Sequence, residues 1–135
     1  MHMKQSIAHV TLVVRDYDQA IEFYTNKLQF DLLEDLKMSE DHRWVLIAPK
    51  GSSSCSIMLE KAIGKEQESR IGNQTGGSVF MILQTDNFER DYKHLLDNKI
   101  RITRESSTEV YGKVCVFADL YGNLWDLIEP VKKED

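Results

Sequence analysis

The order of apolar and polar runs occurs twice along the chain. Ile7 to Glu60 reads as strand, helix and three strands, and Val79 to Ile128 reads the same way. A self-similar unit of about 50 to 60 residues cannot bury its sheet alone, so the two copies must combine. The repeat therefore predicts an α+β fold: two βαβββ modules, about residues 5–60 and 77–130, forming a curved mixed sheet around one cavity with helices outside. At 135 residues and 41% hydrophobic content the chain is one domain with enough apolar material for a core.

Within the first copy, Ile7 to Val14 alternates as a buried strand, placing Val10, Leu12 and Val14 on one face and His9, Thr11 and Val13 on the other. Arg15-Asp16-Tyr17-Asp18 offers an Asp cap, with Asp18 preceding a helix that runs to about Leu28 and whose stripe is Ile21, Tyr24 and Leu28. Strands over Asp31–Lys37, Arg43–Pro49 and Cys55–Glu60 follow, separated by polar turns. Residues 61–76 form a linker with few apolar residues, read as a surface loop or a flap that orders over a site.

The second copy opens with a strand from Val79 to Thr85 and a helix started by Asp86-Asn87, with Phe88, Tyr92, Leu95 and Leu96 at helical spacing. Strands near Arg101–Glu105, Lys113–Ala118 and Leu124–Ile128 complete it. The last two form a hairpin turning on Leu120-Tyr121-Gly122-Asn123, where Gly and Asn tolerate positive φ. Alternation sends Trp125 and Leu127 to the helix-sheet core and Leu124, Asp126 and Ile128 to the opposite face.

A net charge of −5, with 17 basic and 22 acidic residues and no Lys/Arg cluster, argues against a nucleic-acid partner. No apolar run approaches the roughly 20 residues that span a bilayer and no signal pattern opens the chain, so the expectation is a cytoplasmic protein without a membrane partner. Cys55 and Cys115 lie in apolar runs and read as small buried hydrophobes, while His42 and His94 read as exposed.

The repeat, the His9-Val10-Thr11-Leu12-Val13-Val14 run, the D-x-x-x-A-I-x-F-Y of Asp16 to Tyr24 and the D-x-x-G-N-x-x-D-L of Asp119 to Leu127 together resemble the vicinal oxygen chelate superfamily. That group includes glyoxalase I, extradiol dioxygenases, fosfomycin-resistance thiol transferases and bleomycin-binding proteins. The resemblance implies a homodimer, a small-molecule ligand, and four strand positions that carry metal ligands in metal-using members. These positions fall on His9, Met58, Phe80 and Asp126. Neither a phenyl ring nor a thioether suits the divalent ions such proteins use, so His9 and Asp126 are the two candidate metal ligands that remain.

Glu60, two residues beyond Met58 and about 6.6 Å farther along the strand, and Gln84, four beyond Phe80, share the inward parity. His9, Asp126 and Glu60 are the candidate catalytic groups, the first two as a general-base pair if they approach one another. Thr11, Arg43, Met58, Phe80, Gln84 and Tyr111 are the candidate substrate contacts, with Arg43 as an anion clamp and Tyr111 as a stacking platform or a hairpin-edge aromatic. Two functions stay open: a small-molecule binder with a degenerate metal site, and a metal-dependent lactoylglutathione-lyase or dioxygenase-type enzyme.

Overall fold

In β1 (His9–Val14) the expected alternation holds: Leu12 and Val14 are fully buried, while His9 and Thr11 are exposed. The computed structural model describes residues 3–132, and its chain divides into two units between Ile71 and Gly72. The first unit holds β1, α1 (Tyr17–Glu22), β2 (Asp31–Lys37), β3 (Arg43–Ala48), β4 (Ser56–Lys61) and α2 (Gly64–Glu68). The second holds β5 (Val79–Gln84), α3 (Phe88–Asp97), β6 (Ile102–Glu109), β7 (Gly112–Ala118) and β8 (Leu124–Pro130).

Each unit builds one four-stranded mixed sheet, ordered β1-β4-β3-β2 in the first and β5-β8-β7-β6 in the second. The outer pairs β1/β4 and β5/β8 are parallel and the other neighbours antiparallel, so the two sheets share one topology. This is the α+β arrangement of two βαβββ modules that the repeat predicts.

Helix α1 starts two residues earlier than expected. Asp16, extended at φ −151° and ψ 131°, accepts the Gln19 N–H at 2.8 Å and is the N-cap, which places Asp18 inside the first turn. After Glu22 the helix widens into a π-helical turn over Phe23–Lys27, closed by the Leu28 N–H on the Phe23 carbonyl at 3.2 Å. Tyr17, Ala20, Phe23 and Tyr24 are buried, whereas Ile21 and Leu28 are only half-buried.

Helix α3 starts where expected, with the Asn87 side chain accepting the Arg90 N–H and Glu129 of β8 accepting the Phe88 N–H at 2.8 Å. Phe88 and Leu95 are buried, but Leu96 is half exposed, so the stripe is narrower than the periodicity suggests. His94 is half-buried and bonded to Asn98, contrary to the expected exposure; His42 is exposed. Trp125 is 2% exposed and stacks on Phe117 with ring centroids 5.9 Å apart, on the helix side of the second sheet as alternation predicts. Truncating so deeply buried an aromatic costs about 3–5 kcal/mol in general, which marks this pair as a centre of the second core.

The linker is more ordered than a plain loop. It contains α2, and its distal part docks on the β7–β8 turn: a Cβ on Gly72 (φ +73°) would stand 1.9 Å from the Tyr121 carbonyl oxygen. The turn itself is clamped by Asp119, whose Oδ1 accepts the Tyr121 and Asn123 N–H groups at 2.9 Å and whose Oδ2 accepts from the Asn123 amide. Gly122 supplies the positive φ, +99°, and Asn123 contributes its side chain instead. Both Asp119 and Asn123 are buried, and each satisfies the other's polar groups.

Candidate functional site

Two residues, His9 and Asp126, stand foremost among the expected site groups, and each is positioned by its own sheet. In the first sheet β1 pairs with β4 so that His9 lies opposite Ser56, Thr11 opposite Met58 and Val13 opposite Glu60. Leu46 of β3 is the next neighbour of Met58. Because Leu12, Val14, Ile57 and Leu59 fill the buried face, His9, Thr11, Met58 and Glu60 share the other face, together with Trp44, Leu46 and Glu34. The expected parity of all four is thus observed.

On this open face the His9 ring is tethered at one nitrogen. Its Nδ1 is 2.6 Å from the Ser56 hydroxyl, whose oxygen is also 3.4 Å from the Ala8 carbonyl. Whether the hydroxyl donates to Nδ1 or to Ala8, Nδ1 is engaged and Nε2 is the atom left for a ligand. The imidazole meets the Trp44 indole edge-on, with centroids 5.7 Å apart, and the Trp44 Nε1–H donates to Glu34 at 2.6 Å. The result is an aromatic pair fixed at both ends, beside a half-buried thioether at Met58.

Sequence reasoning missed Ser56, Glu34 and the full role of Trp44. The alternation of β3 contained the signal for Trp44, but which face of that strand is open depends on its pairing.

Arg43 is elsewhere. It belongs to the buried-face parity of β3 with Val45 and Ile47, and its guanidinium forks onto Asp35 at 3.1 and 2.6 Å while Nη1 donates to Asp18 at 2.8 Å. Those two carboxylates raise its pKa further, and the group also lies over the Tyr17 ring. With its donors already bonded, Arg43 braces α1 against β2 and β3 rather than clamping an anion.

In the second sheet Asp126 lies opposite Ile82 of β5 and Val116 of β7, half-buried and on the face away from Trp125. Burial, and then the Asp126 charge, push the Cys115 thiol up to about 11. Cys115 is fully buried, whereas Cys55 is half-buried just before β4 rather than inside the strand. Gln84 is exposed opposite Ile128, as parity predicts.

Phe80 departs from strict alternation. The β5/β8 register slips between Val79 and Met81, so Phe80 occupies a bulge and its ring meets Trp125 edge-on at 5.9 Å. Tyr111 lies in the β6–β7 turn, half exposed, and its carbonyl accepts the Val131 N–H.

Among the described residues no group of three or more His, Cys, Asp or Glu comes together as a metal site. Around His9 the neighbouring groups are a hydroxyl and an indole, and the nearby Glu34 carboxylate is held by Trp44.

Comparison with known proteins gives a consistent picture. The model of the Glyoxalase/Bleomycin resistance protein/Dioxygenase superfamily matches residues 6–127. A protein of Shewanella frigidimarina (strain NCIMB 400), described as uncharacterized, is 53% identical over 128 residues, covering 94% of this chain and 95% of the relative. Among solved structures, UcmS2 is 27% identical with a TM-score of 0.82, covering 94% of this chain and 99% of that one. TnmS3, an antibiotic binding protein from Streptomyces sp. CB03234, is 26% identical with a TM-score of 0.76, covering 96% and 100%.

Proposed function

Since the chain belongs to the Glyoxalase/Bleomycin resistance protein/Dioxygenase superfamily, we propose that it binds a small, planar organic molecule without a metal, on the open face of the first sheet. The observation that carries this reading is the His9–Trp44 pair on the sheet face that also carries Met58, an aromatic and polarizable surface. Aromatic faces and thioethers favour flat, polarizable guests, and Nε2 of His9 supplies one directional contact. An overall charge of −5 suits a neutral or cationic guest. That TnmS3 is an antibiotic binding protein supports the same class of ligand.

Fluorescence tests the proposal directly. The chain has two tryptophans, and Trp125 is 2% exposed, so quenching by added planar aromatic antibiotics reports on Trp44. Saturable quenching that weakens about tenfold or more in W44A is the expected result. Stoichiometric metal in protein purified without chelator, accompanied by turnover of methylglyoxal and glutathione, would replace this reading with the metal-dependent lyase.

We also propose that the chain pairs with a second copy. Strand β2 is an edge of its sheet and leaves Leu32, Leu33 and Leu36 exposed, an apolar edge that pairing would cover. Light scattering at twice 15.6 kDa supports pairing, and a value of 15.6 kDa at micromolar concentration refutes it.

A further inference from the structure

The distal linker and the ends of β6, β7 and β8 enclose a cleft of about 170 Å³ within the second unit. Its lining includes Asn73, Gln74, Ser78, Arg101, Thr103 and Asn123, and no carboxylate. This is unusual in a chain with 22 acidic residues against 17 basic ones. Arg43, Arg70, Arg90 and Arg104 are each committed to an acidic side chain, whereas Arg101 has no ion-pair partner among the described residues. The Asn73 side chain likewise has no hydrogen-bond partner among the described residues, and it is exposed.

The walls are held in place by contacts that do not involve the Arg101 side chain. Gly72 is pressed against the Tyr121 carbonyl, and the Gln74 N–H points at the Asn123 Oδ1 at 3.4 Å. Asn123 is in turn locked to Asp119. On the other wall, the Arg101 carbonyl accepts the Ala118 N–H at 2.9 Å, which anchors its backbone at the mouth of the sheet. A preorganised polar recess lined by an arginine without an ion-pair partner and by no acid is suited to an oxyanion, because Arg offers a planar fork of donors to carboxylate or phosphate. The volume is below the roughly 300 Å³ at which drug-sized pockets begin, so the occupant is small or is the terminal group of a larger molecule.

We propose that this cleft is a second ligand site, distinct from the open face of the first sheet, and that it takes a small oxyanion, a carboxylate or a phosphate, on Arg101. Backbone amide shifts of the full-length protein, followed by NMR during separate titrations with inorganic phosphate and with malonate, test it. The expected result is a saturable response at Gly72–Ser78 and Asn123 to one or both anions, weakened about tenfold or more in R101Q and unchanged in R104Q. The arm that saturates first identifies the anion class. Chloride at matched ionic strength producing the same shifts, an unsaturated response, or equal binding by R101Q would overturn the site. Because W44A leaves this cleft intact, its outcome is independent of the ligand proposed for the first sheet.

Discussion

The imidazole Nδ1 of His9 lies 2.6 Å from the hydroxyl oxygen of Ser56, across the parallel pairing of β1 and β4. Together with the edge-on Trp44 contact, this one orients the exposed ring and leaves Nε2 as the atom for a ligand. S56A is therefore expected to weaken ligand binding at the first sheet about three- to tenfold while costing about 1 kcal/mol of stability, since His9 can rehydrate. Parallel quenching titrations and urea unfolding measure the two effects; equal affinity in S56A would show that the tether is dispensable.

Arg43 is a brace between α1, β2 and β3. Its side chain is 26% exposed and that of Asp35 is 30%, whereas Asp18 is 82% exposed, so the Asp35 fork is the stabilising part. R43M should cost about 1–2 kcal/mol in urea unfolding, by loss of a bidentate pair, and leave ligand affinity unchanged. A loss of binding with stability intact would restore the anion-clamp role expected from sequence.

Gly72 has no room for a side chain. In G72A the new methyl would stand 1.9 Å from the Tyr121 carbonyl oxygen, at a φ of +73° that side chains resist. Displacement of the linker from the β7–β8 turn should cost about 1–3 kcal/mol. Faster amide exchange at residues 72–78, relative to the strands of the same unit, would locate the damage; unchanged exchange would contradict the docking.

The two thiols should differ in reactivity. Cys115 is fully buried, and burial followed by the Asp126 charge pushes it up to about 11, so at neutral pH it is protonated and shielded. Titration of native protein with a disulfide reagent is expected to modify half-buried Cys55 first and Cys115 only on unfolding. A C55S variant that still reacts rapidly would disprove this order.

Asp91 predicts acid sensitivity. Burial pushes its carboxyl up, but hydrogen bonds from Arg90 and Thr85 outweigh that and hold the group below its ordinary 3.8. A depressed folded pKa stabilises above the unfolded value, and the contribution is lost as pH falls through the folded one. The stability gap between the protein and D91N should therefore be largest near about pH 7 and shrink toward about pH 3. A gap that grows on acidification would reverse the sign.

Much of the architecture was legible because period-2 alternation and turn residues are local signals. β2 was bounded correctly at Asp31 and Lys37, and Asn87 was correctly taken into the start of α3. The π-helical turn at Phe23 was not legible, since the residues of such a turn read like any helix. The bulge at Phe80 was hidden for a related reason: a slip in register is a property of two strands, and only one is visible at a time in the sequence.

The sequence by itself determined the repeat, the parity of His9, Thr11, Met58 and Glu60, and the unsuitability of the Met58 thioether and the Phe80 ring as ligands for a divalent ion, because side-chain chemistry and strand alternation are written residue by residue. Only the tertiary structure decided that Ser56 and Trp44 hold His9, that Asp35 and Asp18 claim Arg43, and that the linker docks to leave Arg101 facing a polar cleft. Those outcomes depend on which strands become neighbours and in what register, and pairing over tens of residues is settled by packing the whole unit.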